Sequence, residues 1–189
     1  MVDPASFPNR LIRVPTIKIS LSLTRWVADG LLHENVPPDF LYASGRPNRF
    51  NVAGAGCLYV SGEEETAKAE YEANLPADDH QQPVTMFWIH AKLAKVIDLT
   101  EPGTLAHLGL TANDLQQPWR FVSRPTATQI LGSAVAANTS GIAAIRYPSE
   151  AMRLTGRTGT NFAIFRDRVV APDSLTIKGP GNTILQRWP

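Results

Sequence analysis

Apolar and polar residues alternate over residues 17–23 (IKISLSL), a pattern that favours a strand with one buried face. Compact apolar runs predict further strands at residues 57–60, 84–89, 94–99, 142–146, 162–165 and 175–177. Short helices are predicted at residues 26–32 and 61–74, and from residues 111 and 126 onward. Residues 41–51 and 76–83 are predicted loops. Six or so strands mixed irregularly with short helices predict an α+β fold with a mixed β-sheet core.

The helix predicted at residues 61–74 has a recognisable start. The stretch SGEE (residues 61–64) places a serine three residues before a glutamate, which is a capping-box pattern. This helix follows the predicted strand at residues 57–60 directly. We therefore expect the polar residues of the helix to lie close to that strand.

Length and charge limit the classes of partner. The chain has 189 residues, which suits one domain over residues 1–189. Lys and Arg total 18 against 17 for Asp and Glu, a net charge of +1. Proteins that bind nucleic acid usually carry a clear basic excess, so we expect no direct nucleic-acid contact. A small anionic ligand remains possible because it needs only a few well-placed cations.

Cysteine and histidine usage gives no sign of a metal site. Cys57 is the single cysteine, so the chain forms no internal disulfide and carries no Cys-rich zinc site. The four histidines lack metal-ligand spacing, and we predict no bound metal. No apolar run is long enough for a signal peptide or a membrane span, which predicts a soluble cytoplasmic protein with no membrane contact.

Candidate chemistry begins in the stretch GRPNRFNVAGAGCLYV (residues 45–60). Arg46 and Arg49 stand in a predicted loop without a neighbouring acid, and a guanidinium binds phosphate or carboxylate through two parallel hydrogen bonds. The alternative interpretation is that both arginines are solvent-exposed loop residues that bind no ligand, because such residues could have the same spacing. Tyr59 has an apolar ring and a phenol that needs a hydrogen-bond partner, so it is a candidate to contact a ligand. A core tyrosine whose hydroxyl is hydrogen-bonded within the protein is the alternative.

Two further residues complete the candidate group. Glu70 lies on the side of its predicted helix that carries small residues, where a carboxylate could be buried and could stabilise positive charge in a ligand; a surface carboxylate is the alternative. Ser149 ends a strand-like run, and no Ser-His-Asp pattern or G-x-S-x-G motif surrounds it. We therefore interpret Ser149 as a hydrogen-bonding residue rather than a nucleophile.

Taken in order, the motifs resemble the RES domain, a family named for its arginine, glutamate and serine. The matching segments extend from about residue 40 to residue 178: GRPNRFNVAGAGCLYVS with ETAKAE, then WRFVSRPTATQILGSAVAANTSGIAAIRYPS, and finally TNFAIF. The resemblance implies a fold similar to that of ADP-ribosyltransferase toxins. It also implies NAD⁺ as substrate, not as a resident cofactor, with its nicotinamide–ribose bond cleaved by water or phosphate.

The resemblance also implies roles for individual residues. Glu70 would stabilise the ribose cation, and Ser149 would hydrogen-bond near it. Arg46 would serve as the family's first arginine and Arg49 as its second, both holding phosphate, with Arg13 and Arg25 as possible substitutes for the first. The residues implied to be catalytic are Arg46, Glu70 and Ser149. The residues implied to bind substrate are Arg46, Arg49, Asn51, Tyr59 and Gln129.

Members of the family resemble toxins of bacterial toxin–antitoxin pairs. An antitoxin with a helix-turn-helix DNA-binding domain is therefore the implied partner, and an exported effector is another possible context. Two other functions remain open. The same cleft could transfer ADP-ribose to a protein target, or the domain could bind a nucleotide or protein without catalysis.

Overall fold

The computed structural model describes residues 6–32, 39–75, 83–120, 122–137 and 140–189. Within these ranges the chain forms seven strands and seven α-helices. The strands are β1 (Thr16–Ala28), β2 (Cys57–Ser61), β3 (Val84–Asp98), β4 (Ala144–Pro148), β5 (Thr160–Phe165), β6 (Ser174–Lys178) and β7 (Ile184–Trp188). The helices are α1 (Phe7–Leu11), α2 (Asp39–Ala43), α3 (Glu64–Glu72), α4 (Pro102–Leu108), α5 (Ala112–Gln116), α6 (Ala127–Ala137) and α7 (Glu150–Leu154).

The sheet closes on itself. Its strand order is β1-β2-β5-β4-β3-β6-β7, and β1 also pairs with β3 along most of its length. The strands β1, β2, β5, β4 and β3 therefore form a ring, to which β6 and β7 are added at β3. The β3–β4 pair is parallel and the other pairs are antiparallel. This mixed sheet with short helices confirms the α+β prediction.

Alternate residues of the strands supply two apolar clusters. One cluster takes residues from β1 to β6 and from only one helix, at Leu41, so it fills the space between the strands. The other cluster combines the opposite faces of β2 to β5 with α1, α4, α5 and α6. In β2, Leu58 and Val60 belong to the first cluster, while Cys57 and Tyr59 face the second. Tyr59 is thereby directed to the helical side of the sheet.

Most predicted strands are confirmed, and the differences follow from tertiary pairing. The helix predicted at residues 26–32 is wrong: residues 26–28 continue β1, because Trp26 to Ala28 pair with β3, and only Asp29–Leu31 form a 3₁₀ turn. The strands predicted at 84–89 and 94–99 form one long strand, β3. Residues 41–43 are helical rather than loop. Residues 76–82 of the second predicted loop lie outside the described residues.

The predicted cap of α3 is also wrong. The helix begins at Glu64 with Glu63 at its N-cap, and no side chain caps it. Ser61 is the last residue of β2, and its hydroxyl donates to Asn161 Oδ1 at 2.7 Å. The serine is therefore used across the sheet and not at the helix start. The helix start predicted at residue 111 is confirmed, and a capping box between Thr111 and Asp114 forms it.

Candidate functional site

Polar side chains gather where β2 and β4 end and β5 begins. Ser61 of β2 and Tyr147 of β4 both pair with Asn161 of β5, so the three residues lie side by side across the sheet. Ser149 follows β4 directly and is the N-cap of α7. The exposed fractions of Ser61, Asn161 and Ser149 are 5%, 5% and 2%, so this polar group lies below the surface.

Glu70 of α3 reaches into this group. Its Oε1 accepts hydrogen bonds from Ser149 Oγ at 2.6 Å and from Asn161 Nδ2 at 2.7 Å. No described residue donates to its second oxygen, Oε2. Glu70 is partly exposed as a residue, and one oxygen of its carboxylate is fixed by the protein while the other has no donor among the described residues and remains available to a ligand. We refer to Glu70, Ser149, Asn161 and Ser61 as the Glu70 cluster.

Two features hold helix α3 against the start of β5. Glu63 Oε2 accepts from Thr66 Oγ1 at 2.8 Å and from the Thr160 backbone N–H at 3.1 Å. A Cβ at Gly159 would overlap the Thr66 side chain, so glycine is needed for this close approach. The helix thus meets β5 at a fixed position, which sets where the Glu70 carboxylate points.

Hydrogen bonds from Tyr59 and Asn51 fix the conformation of the loop at residues 45–56, which we call the arginine loop. Tyr59 OH donates to Asn51 Oδ1 and accepts from the Phe50 N–H, each at 2.8 Å. Asn51 is fully buried, and its Nδ2 donates to the carbonyls of Arg46, Val52 and Ala55 at 2.7, 3.0 and 3.3 Å. The polar atoms of Tyr59 and Asn51 therefore shape this loop, and their contact with substrate stays a prediction.

Helix α6 packs directly against the backbone of the arginine loop. Gln129 is 4% exposed; its Nε2 donates to the Asn48 carbonyl at 3.1 Å and its Oε1 accepts from the Thr126 N–H at 3.0 Å. A Cβ at Gly132 would overlap the Phe50 carbonyl oxygen, so the loop backbone lies directly on the helix at this glycine. The side chain of Gln129 thus bridges helix and loop.

The predicted arginines occupy different environments. Arg46 is exposed, and its guanidinium has no hydrogen-bond or ion-pair partner among the described residues. Arg49 donates to the carbonyls of Leu115 and Gln117 at the C-terminal end of α5. Arg25 of β1 is partly buried and donates to the Tyr59 carbonyl. Arg13 is exposed between α1 and β1.

The positive charges of Arg49 and Arg25 act on the hydroxyl of Tyr147, next to the Glu70 cluster. Burial raises the pKa of the Tyr147 hydroxyl, the negative charge of Glu70 raises it further, and the positive charge of Arg49 opposes the rise. Burial lowers the pKa of the Arg25 guanidinium to about 10, and the guanidinium stays charged at neutral pH. The Tyr147 ring packs against Phe50 with 4.7 Å between ring centroids. Arg49 and Arg25 are therefore the arginines whose charge reaches Tyr147.

Sequence reasoning missed Ser61, Tyr147 and Asn161 as members of the site. Asn161 had a usable signal, because it is a polar residue near the start of an otherwise apolar strand. Tyr147 stands two residues before Ser149, in the stretch YPS, and β4 places its ring toward Phe50. The role of Ser61 shows only when β2 and β5 are paired.

The described residues contain neither a metal-binding cluster nor a membrane-spanning helix. No group of three or more His, Cys, Asp and Glu side chains there is arranged to hold a metal ion. No helix in the described ranges has the length and apolar character needed to cross a membrane.

Comparisons with known proteins agree with this architecture. A chain in the crystal structure of the M. tuberculosis MbcT–MbcA toxin–antitoxin complex has a similar fold, with a TM-score of 0.61 and 15% identity over 97% of this chain and 91% of that chain. No curated protein sequence matches. A family model described as RES domain matches residues 24–182, which include the arginine loop, the Glu70 cluster and most of the sheet. The protein therefore belongs to the RES domain family.

Proposed function

We propose that this protein is a toxin of a toxin–antitoxin pair and that it degrades NAD⁺. Membership of the RES domain family and the fold shared with a chain of a toxin–antitoxin complex support the first part. The chemistry available around Glu70 supports the second part. Water or inorganic phosphate would be the acceptor of the ADP-ribose.

The arrangement of the Glu70 carboxylate is the observation that carries this proposal. Cleavage of an N-glycosidic bond passes through an oxocarbenium-like ribose, which a nearby negative charge stabilises. Ser149 and Asn161 hold Oε1 of Glu70 in place, and Oε2 is open to a ribose hydroxyl. A carboxylate fixed in this way stabilises the cation without having to reorganise during the reaction.

The proposed reaction balances without a cofactor. The bond between ribose C1′ and the pyridine nitrogen breaks, and its electron pair neutralises the pyridinium ring, so nicotinamide leaves as a neutral molecule. An oxygen of water or phosphate then bonds to C1′, and with water a proton is released to solvent. No general acid is needed for this leaving group.

The other residues would bind and orient the dinucleotide. Arg49 carries a positive charge close to Tyr147 and Glu150. Arg46, whose guanidinium contacts none of the described residues, would turn toward a bound phosphate. Arg25 would stabilise strand β2 through its hydrogen bond to the Tyr59 carbonyl, and it would add positive charge next to that strand. Ser149 and Asn161 would act through Glu70 as positioning residues.

A protein antitoxin is the proposed partner, and NAD⁺ in the cytoplasm is the proposed target. The near-neutral charge of this chain assigns any DNA contact to the antitoxin, which we expect to carry a helix-turn-helix domain. An antitoxin that covers the cleft would block NAD⁺ entry. Assays should therefore use the protein without any co-purified partner.

The proposal is tested by incubating purified protein with NAD⁺, with and without phosphate. We expect nicotinamide and ADP-ribose with water, or ADP-ribose 1″-phosphate with phosphate, resolved by chromatography and mass spectrometry. Glu70→Gln should lower kcat by about 10²–10³-fold, the effect of losing one electrostatic group in an active site. Glu72→Gln, an exposed glutamate of the same helix, is the matched control and should leave kcat unchanged.

Intact NAD⁺ in both buffers would reject the proposal. Full activity of a folded Glu70→Gln protein would reject the role of the carboxylate. Nicotinamide release accompanied by a mass gain on a target protein would instead identify an ADP-ribosyltransferase.

A further inference from the structure

A second concave surface lies beside the arginine loop. It is a cleft of about 410 Å³ between that loop and the described residues 117–120 and 122–125, which lie between α5 and α6 and are called the 117–125 segment below. Its walls are Pro47, Val52, Ala53, Trp119, Arg120, Val122, Ser123, Arg124, Pro125 and Gln129. This volume lies within the range of small-molecule sites, about 300–1,000 Å³. Glu70 and Ser149 do not line it, so it is separate from the Glu70 cluster.

The 117–125 segment connects the cleft to the Glu70 cluster. Arg49 of the arginine loop donates to the Leu115 and Gln117 carbonyls. At the other side, Arg120 donates to Asn74 Oδ1, and Asn74 Nδ2 donates to the Glu70 carbonyl at 2.6 Å. Asn74 lies two residues past the end of α3 and four residues after Glu70, so Arg120 contacts the chain at the C-terminal end of the helix that carries the catalytic carboxylate. A ligand longer than a mononucleotide could extend from one site to the other.

The lining of the cleft is complementary to a nucleotide. Arg120 and Arg124 are among its walls and no acidic residue is. The Arg124 guanidinium has no hydrogen-bond or ion-pair partner within the described part of the chain, and Arg46 stands next to the cleft residue Pro47. The planar guanidinium group binds a phosphate through parallel charge-assisted hydrogen bonds, so unpaired arginines in a cleft without acidic residues favour a phosphate ligand.

The remaining walls suit a flat ring. Trp119 is partly buried, and the Arg120 guanidinium lies 4.8 Å from its ring centroid. Val122 and Pro125 add apolar surface, and 41% of Val122 is exposed. A purine can stack on an indole or a guanidinium plane, as bases do in single-stranded nucleic-acid sites. Cations together with a flat apolar wall favour a phosphorylated purine nucleoside over a simple anion.

We propose that this cleft binds the adenylate half of NAD⁺ while the nicotinamide riboside lies at Glu70. This inference rests on the proposed function and adds the position of the second half of the substrate. Arg124 binds the adenylate phosphate, Arg46 lies beside it, and Trp119 with Val122 flanks the adenine. Gln129 forms the floor and keeps the arginine loop in place.

The test compares two substrates that share the scissile bond. NAD⁺ contains the adenylate group and nicotinamide mononucleotide lacks it. Arg124→Ala and Trp119→Ala should each lower kcat/KM for NAD⁺ by about 10-fold or more, the usual effect of losing a charge-assisted bond or a stacking contact. The kcat/KM for nicotinamide mononucleotide should stay unchanged. Arg187→Ala, an exposed arginine of β7 that does not line the cleft, should behave as wild type with both substrates.

A binding measurement separates this inference from the proposed function. Calorimetry with adenosine monophosphate should show binding to wild type and weaker binding to Arg124→Ala, whether or not NAD⁺ is cleaved. If wild type leaves NAD⁺ intact but binds the mononucleotide through Arg124, the catalytic proposal fails and the nucleotide site stands. No binding by wild type, or equal losses with both substrates, would overturn the adenylate site. Thermal unfolding of each variant confirms that it is folded.

Discussion

At the scale of single residues, Asn161 determines how the Glu70 carboxylate is presented. Its amide group donates to Glu70 Oε1 and accepts from Ser61 Oγ, so both ends of the amide are used. An asparagine can donate and accept at once, which no carboxylate does when ionised. The side chain links β2 to α3, and both hydrogen bonds form only when its oxygen faces Ser61 and its nitrogen faces Glu70.

Asn161→Asp should therefore impair both stability and activity. The substitution replaces the donor Nδ2 with an oxygen and brings a second carboxylate next to Glu70. We expect the free energy of unfolding to fall by about 1–3 kcal/mol, the cost of a lost buried partner, and NAD⁺ cleavage to decrease. Urea unfolding and the NAD⁺ assay measure the two effects.

Asn113→Asp is a suitable control for the same change of side chain. Asn113 is exposed in the first turn of α5, where an acid is favourable, so stability and activity should stay at the wild-type level or slightly above. An Asn161→Asp protein as stable and as active as this control would show that the amide does not position Glu70.

Glu70 and Ser149 illustrate how much of the site could be predicted from sequence. Both stood in motifs of recognisable type, and the structure places them in direct contact. The arginines were harder, because spacing alone does not show where a guanidinium points. Arg46 and Arg49 are three residues apart, yet Arg49 binds carbonyls near α5 while Arg46 extends outward. The direction of a long side chain depends on the carbonyls around it, and these come from remote segments.

At the scale of elements, the contact between α6 and the arginine loop sets the shape of the site. Gly132 lies beneath the Phe50 carbonyl, and Gln129 one turn earlier bonds to the Asn48 carbonyl. Backbone atoms cannot rotate away from a clash as a long side chain can. The loop that carries Arg46 and Arg49 is therefore positioned by a helix that has no charged residue of its own.

Gly132→Ala should destabilise the protein although alanine is the better helix former. The added Cβ would overlap the Phe50 carbonyl oxygen and displace the loop, which we expect to cost about 1–3 kcal/mol, as overpacking does. Gly103→Ala in α4 meets open space and should stabilise the protein by about 0.5–1 kcal/mol. Denaturant unfolding of the two variants should give changes of opposite sign. Equal changes would contradict the close contact.

Local pattern predicted the short elements better than the long ones. The runs at 57–60 and 162–165 lie in central strands, and both strands are complete within a few residues. Strands β1 and β3 extend further than their patterns indicate because they pair with each other over most of their length. Neither α1 nor β7 was predicted. Helix α1 packs on α4 and α6, which are distant in sequence, whereas β7 forms by pairing with the preceding strand, β6.

At the scale of the whole molecule, buried ionisable groups make stability depend on pH. Burial raises the pKa of the Cys57 thiol from 9.0 to about 12. Between these values the unfolded thiol loses its proton and the folded one keeps it. The stabilisation from this group is complete below pH 9 and decreases as the pH rises toward 12, by about 1.4 kcal/mol per pH unit.

We expect wild type to lose about 1.4 kcal/mol more than Cys57→Ala between pH 8 and pH 10. The window stops at pH 10 because other groups contribute above it. Burial raises the pKa of Tyr59 above its ordinary value of 10.0, which lowers stability at still higher pH. Arg25 has the opposite effect, because its folded pKa of about 10 lies below 12.5 and deprotonation relieves the cost of burying its charge.

Urea unfolding at pH 8, 9 and 10 measures this difference. The substitution itself changes packing, but that effect is independent of pH and cancels when the slopes are compared. Parallel profiles for wild type and Cys57→Ala would show that the thiol titrates alike in the folded and unfolded chains.

The sequence positions of the Glu70 cluster have a consequence for synthesis of the chain. Glu70 is separated from Ser149 by 79 residues and from Asn161 by 91. Strand β5, which carries Asn161, lies between β2 and β4 in the ring, so the ring closes only after residues 160–165 have left the ribosome. Contacts between such distant residues form late in folding. A nascent chain that stops before Asn161 therefore has no assembled Glu70 cluster, and the activity that we propose cannot begin until β5 has been synthesised.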